Sequence, residues 1–438
     1  MPGPRATVLC TTALLSLLPS AMGAAGADPA STARGEWPQW RGPNRDALSD
    51  ETGLLETWDE KGPPLLWEKL GLGKGYSSIA VAGGRIFTLG ERQGKTDLIA
   101  LSVDGGEELW ATRVGGGSPN STPTVSGDLV YALDRHGKLL CARTSGAGVW
   151  RKDLRKDFGG RMMSGWGYSE SPLVDGERLV CTPGAKDAVL VALDRKTGET
   201  LWKATLPDDV GSRGKRGAAY SSIVVSEAQG IRQYVQLIGR GLVSVRADTG
   251  EVLWTYNRIA NGTANIPTPI VKGNLVFAST GYGAGAALLE VKRRGSGLEA
   301  DEVYFLESRT LQNHHGGMVL LGDHVYCGHG HGEGFPLSIE LKTGKAAWRP
   351  GRGPGKGSAA VVYADGHLYF RYENGVMALI EAQPKNYVLK GQFRIASRRG
   401  KSWPHPVIAG GRLYLRDQDA LLCYDVIDAR SARRKRRL

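Results

Sequence analysis

The sequence predicts an all-β chain, an eight-bladed β-propeller of four-stranded antiparallel blades, and three observations carry that expectation. A short apolar run, a tight turn and a closing tryptophan recur along the chain, most clearly in Val189–Trp202. The closing aromatics fall at Trp67, Trp110, Trp150, Trp202, Trp254, Phe305, Trp348 and Phe393, at intervals of 43, 40, 52, 52, 51, 43 and 45 residues. That period is one blade of roughly 40–50 residues. The last repeat has only three strands, near 405–409, 412–416 and 420–426, whereas Pro64-Leu-Leu-Trp67 is a closing strand with none before it. Joining the two completes the eighth blade and leaves no sheet edge open.

Each part of the repeat has a physical reason. Val189–Leu193 is a nearly continuous apolar run, as a strand covered on both faces requires. Asp194 and Thr197 have short side chains that bond nearby backbone N–H groups, and Gly198 permits the positive φ of a tight reversal. Trp202 supplies a large apolar plate with one polar N–H. A lone hairpin of this kind cannot bury both faces, so copies must stack. Ile99–Trp110, Leu139–Trp150, Val243–Trp254 and Ser338–Trp348 are the copies. Two further strands precede each unit, as in Ser171–Cys181, Thr268–Phe277 and His405–Leu415, where Asp-Gly, Gly-Asn and Gly-Gly pairs signal hairpins. Cys141, Cys181, Cys327 and Cys423 fall in strands of different blades and are expected to be buried thiols.

Two copies, Ala192/Asp194/Thr197/Gly198/Trp202 and Ala247/Asp248/Thr249/Gly250/Trp254, resemble the repeat Ala-x-Asp-x-x-Thr-Gly-x-x-x-Trp of the quinoprotein-type (PQQ-like) eight-bladed propellers. Trp37-Pro-Gln-Trp-Arg-Gly-Pro-Asn-Arg-Asp46 resembles the arm that opens many secreted members, and the resemblance covers roughly residues 37 to 427. It implies that the tryptophans dock between neighbouring blades. It also implies two kinds of function. Some members are quinone-dependent dehydrogenases; others, such as the propeller subunit of the machine that assembles outer-membrane β-barrels, are non-catalytic scaffolds. The dehydrogenases resemble one another in an adjacent Cys-Cys pair, which this sequence lacks. The resemblance therefore implies a binding protein with no cofactor. The alternative is an alcohol or sugar dehydrogenase using PQQ with Ca²⁺, with Trp403 as platform and Glu170 as ligand.

In chain order, residues 1–27 carry Arg5, an apolar Val8–Leu18 core and a small-residue end, as a cleavable export signal does. That core is too short to span a bilayer. The expected organisation is then an arm at 28–63, the propeller at 64–427 and a basic tail at 428–438, in a periplasmic or secreted monomer. The formal charge is +12, but setting aside Arg5, six basic residues of the tail and Asp428 leaves 49 bases and 43 acids. No nucleic-acid partner is expected, and membrane contact only through the tail.

Propeller geometry places the loop entering each inner strand, and the loop between strands two and three, on one face. That face collects Tyr76, Asn120, Trp166, Tyr168, Glu170, Arg216, Tyr220, Arg240, Tyr282, Lys401, Trp403 and His405, a basic set interleaved with aromatics. It would suit an anionic small molecule or an acidic loop of a protein partner. His314 and His315 enter one blade on the same face, and Gly328-His-Gly-His-Gly-Glu333 is that blade's second loop. His329, His331 and Glu333 have the spacing of metal ligands, but the flanking glycines favour hydrogen-bonded turns over a rigid site, so no metal is expected. No nucleophile elbow, phosphate-binding loop or zincin helix occurs.

Overall fold

The computed structural model describes residues 1–3, 35–396 and 400–429. Apart from residues 1–3, the expected export signal falls outside the described residues, as does the basic run 430–438. The described strands form eight separate four-stranded antiparallel sheets. Blades 1 to 7 span residues 79–116, 124–153, 173–203, 224–256, 270–306, 318–348 and 359–394. Blade 8 combines Val407–Ala409, Arg412–Asp417 and Ala420–Asp425 with Leu65–Lys69. In that seam Leu65 lies opposite Tyr424, Trp67 opposite Cys423 and Lys69 opposite Leu421. The closure expected from the unpaired Pro64–Trp67 segment is therefore present.

The six closing tryptophans sit in outermost strands beside a bulge. The expected Phe305 and Phe393 do not take that place. Tyr304 fills it in blade 5, donating to the Leu341 carbonyl over Gly344, and Gly391 fills it in blade 7. Trp110, Trp150 and Trp202 donate their indole N–H to the carbonyls of Thr144, Arg195 and Ala247 in the next blade, each at 3.1 Å. Beneath each ring lies the turn glycine of that next blade. A Cβ on Gly146, Gly198 or Gly250 would approach the indoles of Trp110, Trp150 and Trp202 to 2.8, 2.8 and 2.7 Å. Gly198 is thus required twice, for its φ of +76° and for the plate above it. Asp194 secures the turn by accepting from the N–H groups of Lys196 and Thr197. Trp254 differs, donating to Gln233 Oε1 of its own blade. The four cysteines described are buried and unpaired, and burial pushes the Cys327 thiol up to about 12.

The arm is the part the repeat could not foretell. It crosses the hub. Trp37 exchanges both backbone hydrogen bonds with Val81 of blade 1, and Pro38 accepts from Val125 of blade 2. Arg45 donates to the carbonyls of Ser171 and Pro172 in the segment entering blade 3. Trp40 donates to Thr268 Oγ1 before blade 5, and Arg41 to the Met318 carbonyl of blade 6. Leu48 pairs with Tyr363 of blade 7, while Ser49 donates to Ile408 of blade 8. A single segment that bonds inner strands on opposite sides of a ring lies across its centre. Arg41, Arg45 and Ala47 all take positive φ, uncommon for residues with a Cβ. The buried guanidiniums, 3% and 4% exposed, hold that coil in place.

Candidate ligand-binding cavity

At the hub the loops entering the inner strands enclose a cavity of about 280 Å³. Tyr76, Asn120, Trp166, Tyr220, Thr268, His314 with His315, and Trp403 with His405 come from the loops entering blades 1, 2, 3, 4, 5, 6 and 8 in turn. Tyr282 comes from the second loop of blade 5, and Trp40 and Arg41 of the arm also line the cavity. Rings dominate the walls. Trp403 lies 4.5 Å from Tyr76 and edge-on to His315 at 4.4 Å between centroids. His314 stacks on His315 at 3.7 Å, and His405 sits 4.5 Å from Trp40.

Hydrogen bonds fix these rings. His314 bonds Ser358 Oγ through Nδ1 at 2.8 Å and Tyr282 Oη through Nε2 at 3.1 Å. Tyr220 Oη lies 2.5 Å from Ser164 Oγ, and His405 Nε2 lies 3.2 Å from the His315 carbonyl. Burial, reinforced by the neighbouring His331, pulls His314 down to about 4. Burial with the nearby Arg41 takes His405 down to about 3, and burial beside His314 holds His315 well below the usual imidazole range. These three imidazoles are neutral at pH 7. Arg41 stays cationic although burial lowers it to about 10, and its Nη1 has no hydrogen-bond partner among the described residues. Lys401 pairs with Glu373 at 2.9 Å and lies 5.0 Å from the Trp403 ring.

A family profile described as "Outer membrane protein assembly factor BamB" matches residues 51–142 and 94–350. The chain belongs to this family. Its fold agrees with the crystal structure of BamB from Moraxella catarrhalis, at 14% identity and TM-score 0.59 over 83% of this chain and 99% of that one. It agrees equally with quinohemoprotein alcohol dehydrogenases from Comamonas testosteroni and Pseudomonas putida HK5. These are 13% and 15% identical, with TM-scores of 0.62 and 0.61, and cover 91% and 90% of this chain and 81% and 80% of theirs. At such identities the likeness establishes the shared propeller. No characterised protein sequence matches the chain.

Of the residues expected at the site, Trp166, Tyr220, His314, His315, Lys401, Trp403 and His405 do converge on the cavity. Tyr168 and Glu170 do not. Tyr168 is 1% exposed and donates its hydroxyl to the Pro183 carbonyl. Glu170 is 2% exposed and accepts from Thr182 N and Oγ1 and from Gln236 Nε2 inside the wall, where burial pushes it up to about 7. Trp166 ends a turn at Gly167, whose φ is +86°, and beyond it Ser169 faces the cavity while its neighbours Tyr168 and Glu170 face the wall. Arg216 lies outboard, in a second pocket. His329 accepts from Gln312 N and His331 from Tyr282 N, each held by a turn. Among the described residues no group of three or more His, Cys, Asp or Glu could hold a metal ion, so His329, His331 and Glu333 do not assemble a site.

The lining also tests the PQQ–Ca²⁺ alternative. Ca²⁺ takes six to eight oxygens, carboxylates prominent among them. The cavity lining includes no Asp or Glu, and Glu170 is committed to the wall. The residues present do not fit that group. Sequence reasoning missed Trp40 and Arg41 as site residues. Both lie in the quoted arm, but nothing in the repeat says where an arm goes.

Proposed function

We propose that this chain is an exported, non-catalytic binding propeller whose hub cavity seats a segment of a protein partner. The cavity itself carries the reading: walls from seven blades, six of them contributing rings, Arg41 and Lys401 as cations, and no lining carboxylate among the described residues. Rigid rings bury area at little entropic cost, as recognition surfaces do. The neutral, hydrogen-bonded imidazoles are mistuned for acid–base work near pH 7. Membership of a family described by outer-membrane protein assembly favours a protein partner, and the export signal expected from residues 1–27 favours an oxidising compartment outside the cytoplasm.

The test is a photo-crosslinking residue at Ser169, on the cavity wall, in the exporting cell. One discrete partner is expected, lost with Trp403→Ala and with Tyr282→Ala. Dye-linked oxidation of alcohols or sugars on adding PQQ and Ca²⁺, abolished by Trp403→Ala, would overturn the reading in favour of a dehydrogenase.

A further inference from the structure

Outboard of the hub, between blades 3 and 4, lies a second cavity of about 110 Å³. Its lining comes from loops on the same face as the hub cavity, those entering the inner strands of the two blades and those between their second and third strands. Val189, Leu206, Val210 and Ile238 line it with buried apolar side chains. Arg161, Lys186, Arg216 and Arg240 are its cations, and among the described residues Asp208 is the one acid in the lining.

Asp208 Oδ1 lies 2.7 Å from Lys186 Nζ and 4.0 Å from Arg216 Nη2, so both cations address one oxygen. The Asp208 side chain is 73% exposed and free to swing away. Arg161 forms no ion pair among the described residues and is exposed. Arg240 has a different duty, donating through Nη1 to the carbonyls of Gly211, Ser212 and Arg213 and so bracing the loop that forms one wall.

We propose that this side pocket binds the C-terminal residue of a peptide, its free carboxylate among Arg161, Lys186 and Arg216 and its apolar side chain against Val189, Leu206, Val210 and Ile238. Charge complementarity and size both select this occupant. At about 10–15 Å³ for each water-sized group, the cavity takes roughly seven to eleven heavy atoms, the extent of one terminal residue such as leucine. Guanidinium–carboxylate pairing gives the directionality. A peptide also has somewhere to continue. The segments carrying Arg161 and Arg216 run side by side, joined by Ala218 N to Arg161 O and Met163 N to Ala218 O, and reach the hub cavity at Trp166 and Tyr220. The intervening chain from Arg161 to Trp166 is five residues, at most about 17 Å.

The experiment is fluorescence anisotropy on the full chain with a labelled hexapeptide ending in Gly-Ser-Leu, as the free acid and as the C-terminal amide. The acid is expected to bind at least tenfold more tightly than the amide, and tenfold more tightly than an acid ending in serine. Arg161→Gln with Arg216→Gln is expected to erase the acid's advantage without shifting the thermal midpoint, because both side chains are exposed. Equal binding of acid and amide, absence of binding, or full displacement by millimolar inorganic phosphate would each overturn the proposal. None of these outcomes bears on the hub cavity, which the crosslink at Ser169 reads separately.

Discussion

The rim of this propeller and the arm across its hub are built on opposite principles. At the rim one contact is reused: an indole of one blade lies over the turn glycine of the next, as Trp110 over Gly146, Trp150 over Gly198 and Trp202 over Gly250. At the hub a hydroxyl contact is reused between the loops entering blades 1 to 4, Ser78 N donating to Thr122 Oγ1, Thr122 N to Ser171 Oγ and Ser171 N to Ser222 Oγ, but the arm that crosses it occurs once. The arm from Trp37 to Ser49 bonds inner-strand or loop groups of seven blades. It does so through backbone pairs at Val81, Val125 and Tyr363, guanidinium-to-carbonyl bonds at Ser171, Pro172 and Met318, and indole and hydroxyl donors at Thr268 and Ile408. Repetition secures the ring, and a unique segment decides what its centre presents. The same division explains the aromatic character of the hub cavity, which shares Trp40 and Arg41 with the arm.

The largest effect that would break this contrast is expected at Arg45. Arg45→Ala strips buried partners from the Ser171 and Pro172 carbonyls and should cost about 3–5 kcal/mol, read as a lower urea midpoint. A loss below about 1 kcal/mol would mean the hub adds nothing to the ring. At the rim, Gly198→Ala forces a Cβ against Trp150 at positive φ and should cost about 3 kcal/mol. Its counterpart Gly176→Ala, with φ +58° but open space, should cost about 1 kcal/mol. Equal losses at the two glycines would show that the indole contact is not what demands glycine.

Acidification sharpens the comparison, because the buried imidazoles belong to the hub. His314 near 4 and His405 near 3 release their protons on folding, relative to about 6.5 in the unfolded chain. Their contribution is complete above pH 6.5 and is lost as pH falls through the folded values. Glu170, raised to about 7, works the other way, contributing below about 4.5 and losing that contribution as pH rises through 7. The imidazoles outnumber it, so the thermal midpoint should fall between pH 6.5 and 4, and His405→Asn should flatten that slope. A midpoint rising on acidification would contradict the neutral cavity. The smallest stability change is expected for Trp166→Ala, within about 0.5 kcal/mol because the ring is 55% exposed, while crosslinking of the partner at Ser169 should drop.

The ring was legible in the sequence because its signals are local and repeated: an Asp-to-Gly turn followed by a closing aromatic, recurring every 40–52 residues. The face was legible too, since topology assigns loops to sides. Side-chain direction within a loop was not. Trp166 opens into the cavity while Tyr168 and Glu170 face the wall on either side of Ser169, because a turn through Trp166 with positive φ at Gly167 breaks the alternation that would put all three on one side. The charge balance misled in a related way. Of the basic residues of that face, Lys401 pairs with Glu373 and Arg240 braces loop carbonyls, so the centre is chiefly aromatic, while Arg161, Lys186 and Arg216 gather outboard. The arm escaped for a third reason: its partners are long-range and occur once.

The seam of blade 8 sets an order of events. Lys69 and Leu421 pair although 352 positions separate them. Seven sheets can assemble as the polypeptide emerges, yet the strand at Leu65–Lys69 has no partner until Ala420–Asp425 has been made. Until then the arc has two raw edges, and the early strand is the piece most open to mispairing. A chain that stops short by one strand forfeits the latch as well as that strand, so integrity of the whole circle is registered at its final join.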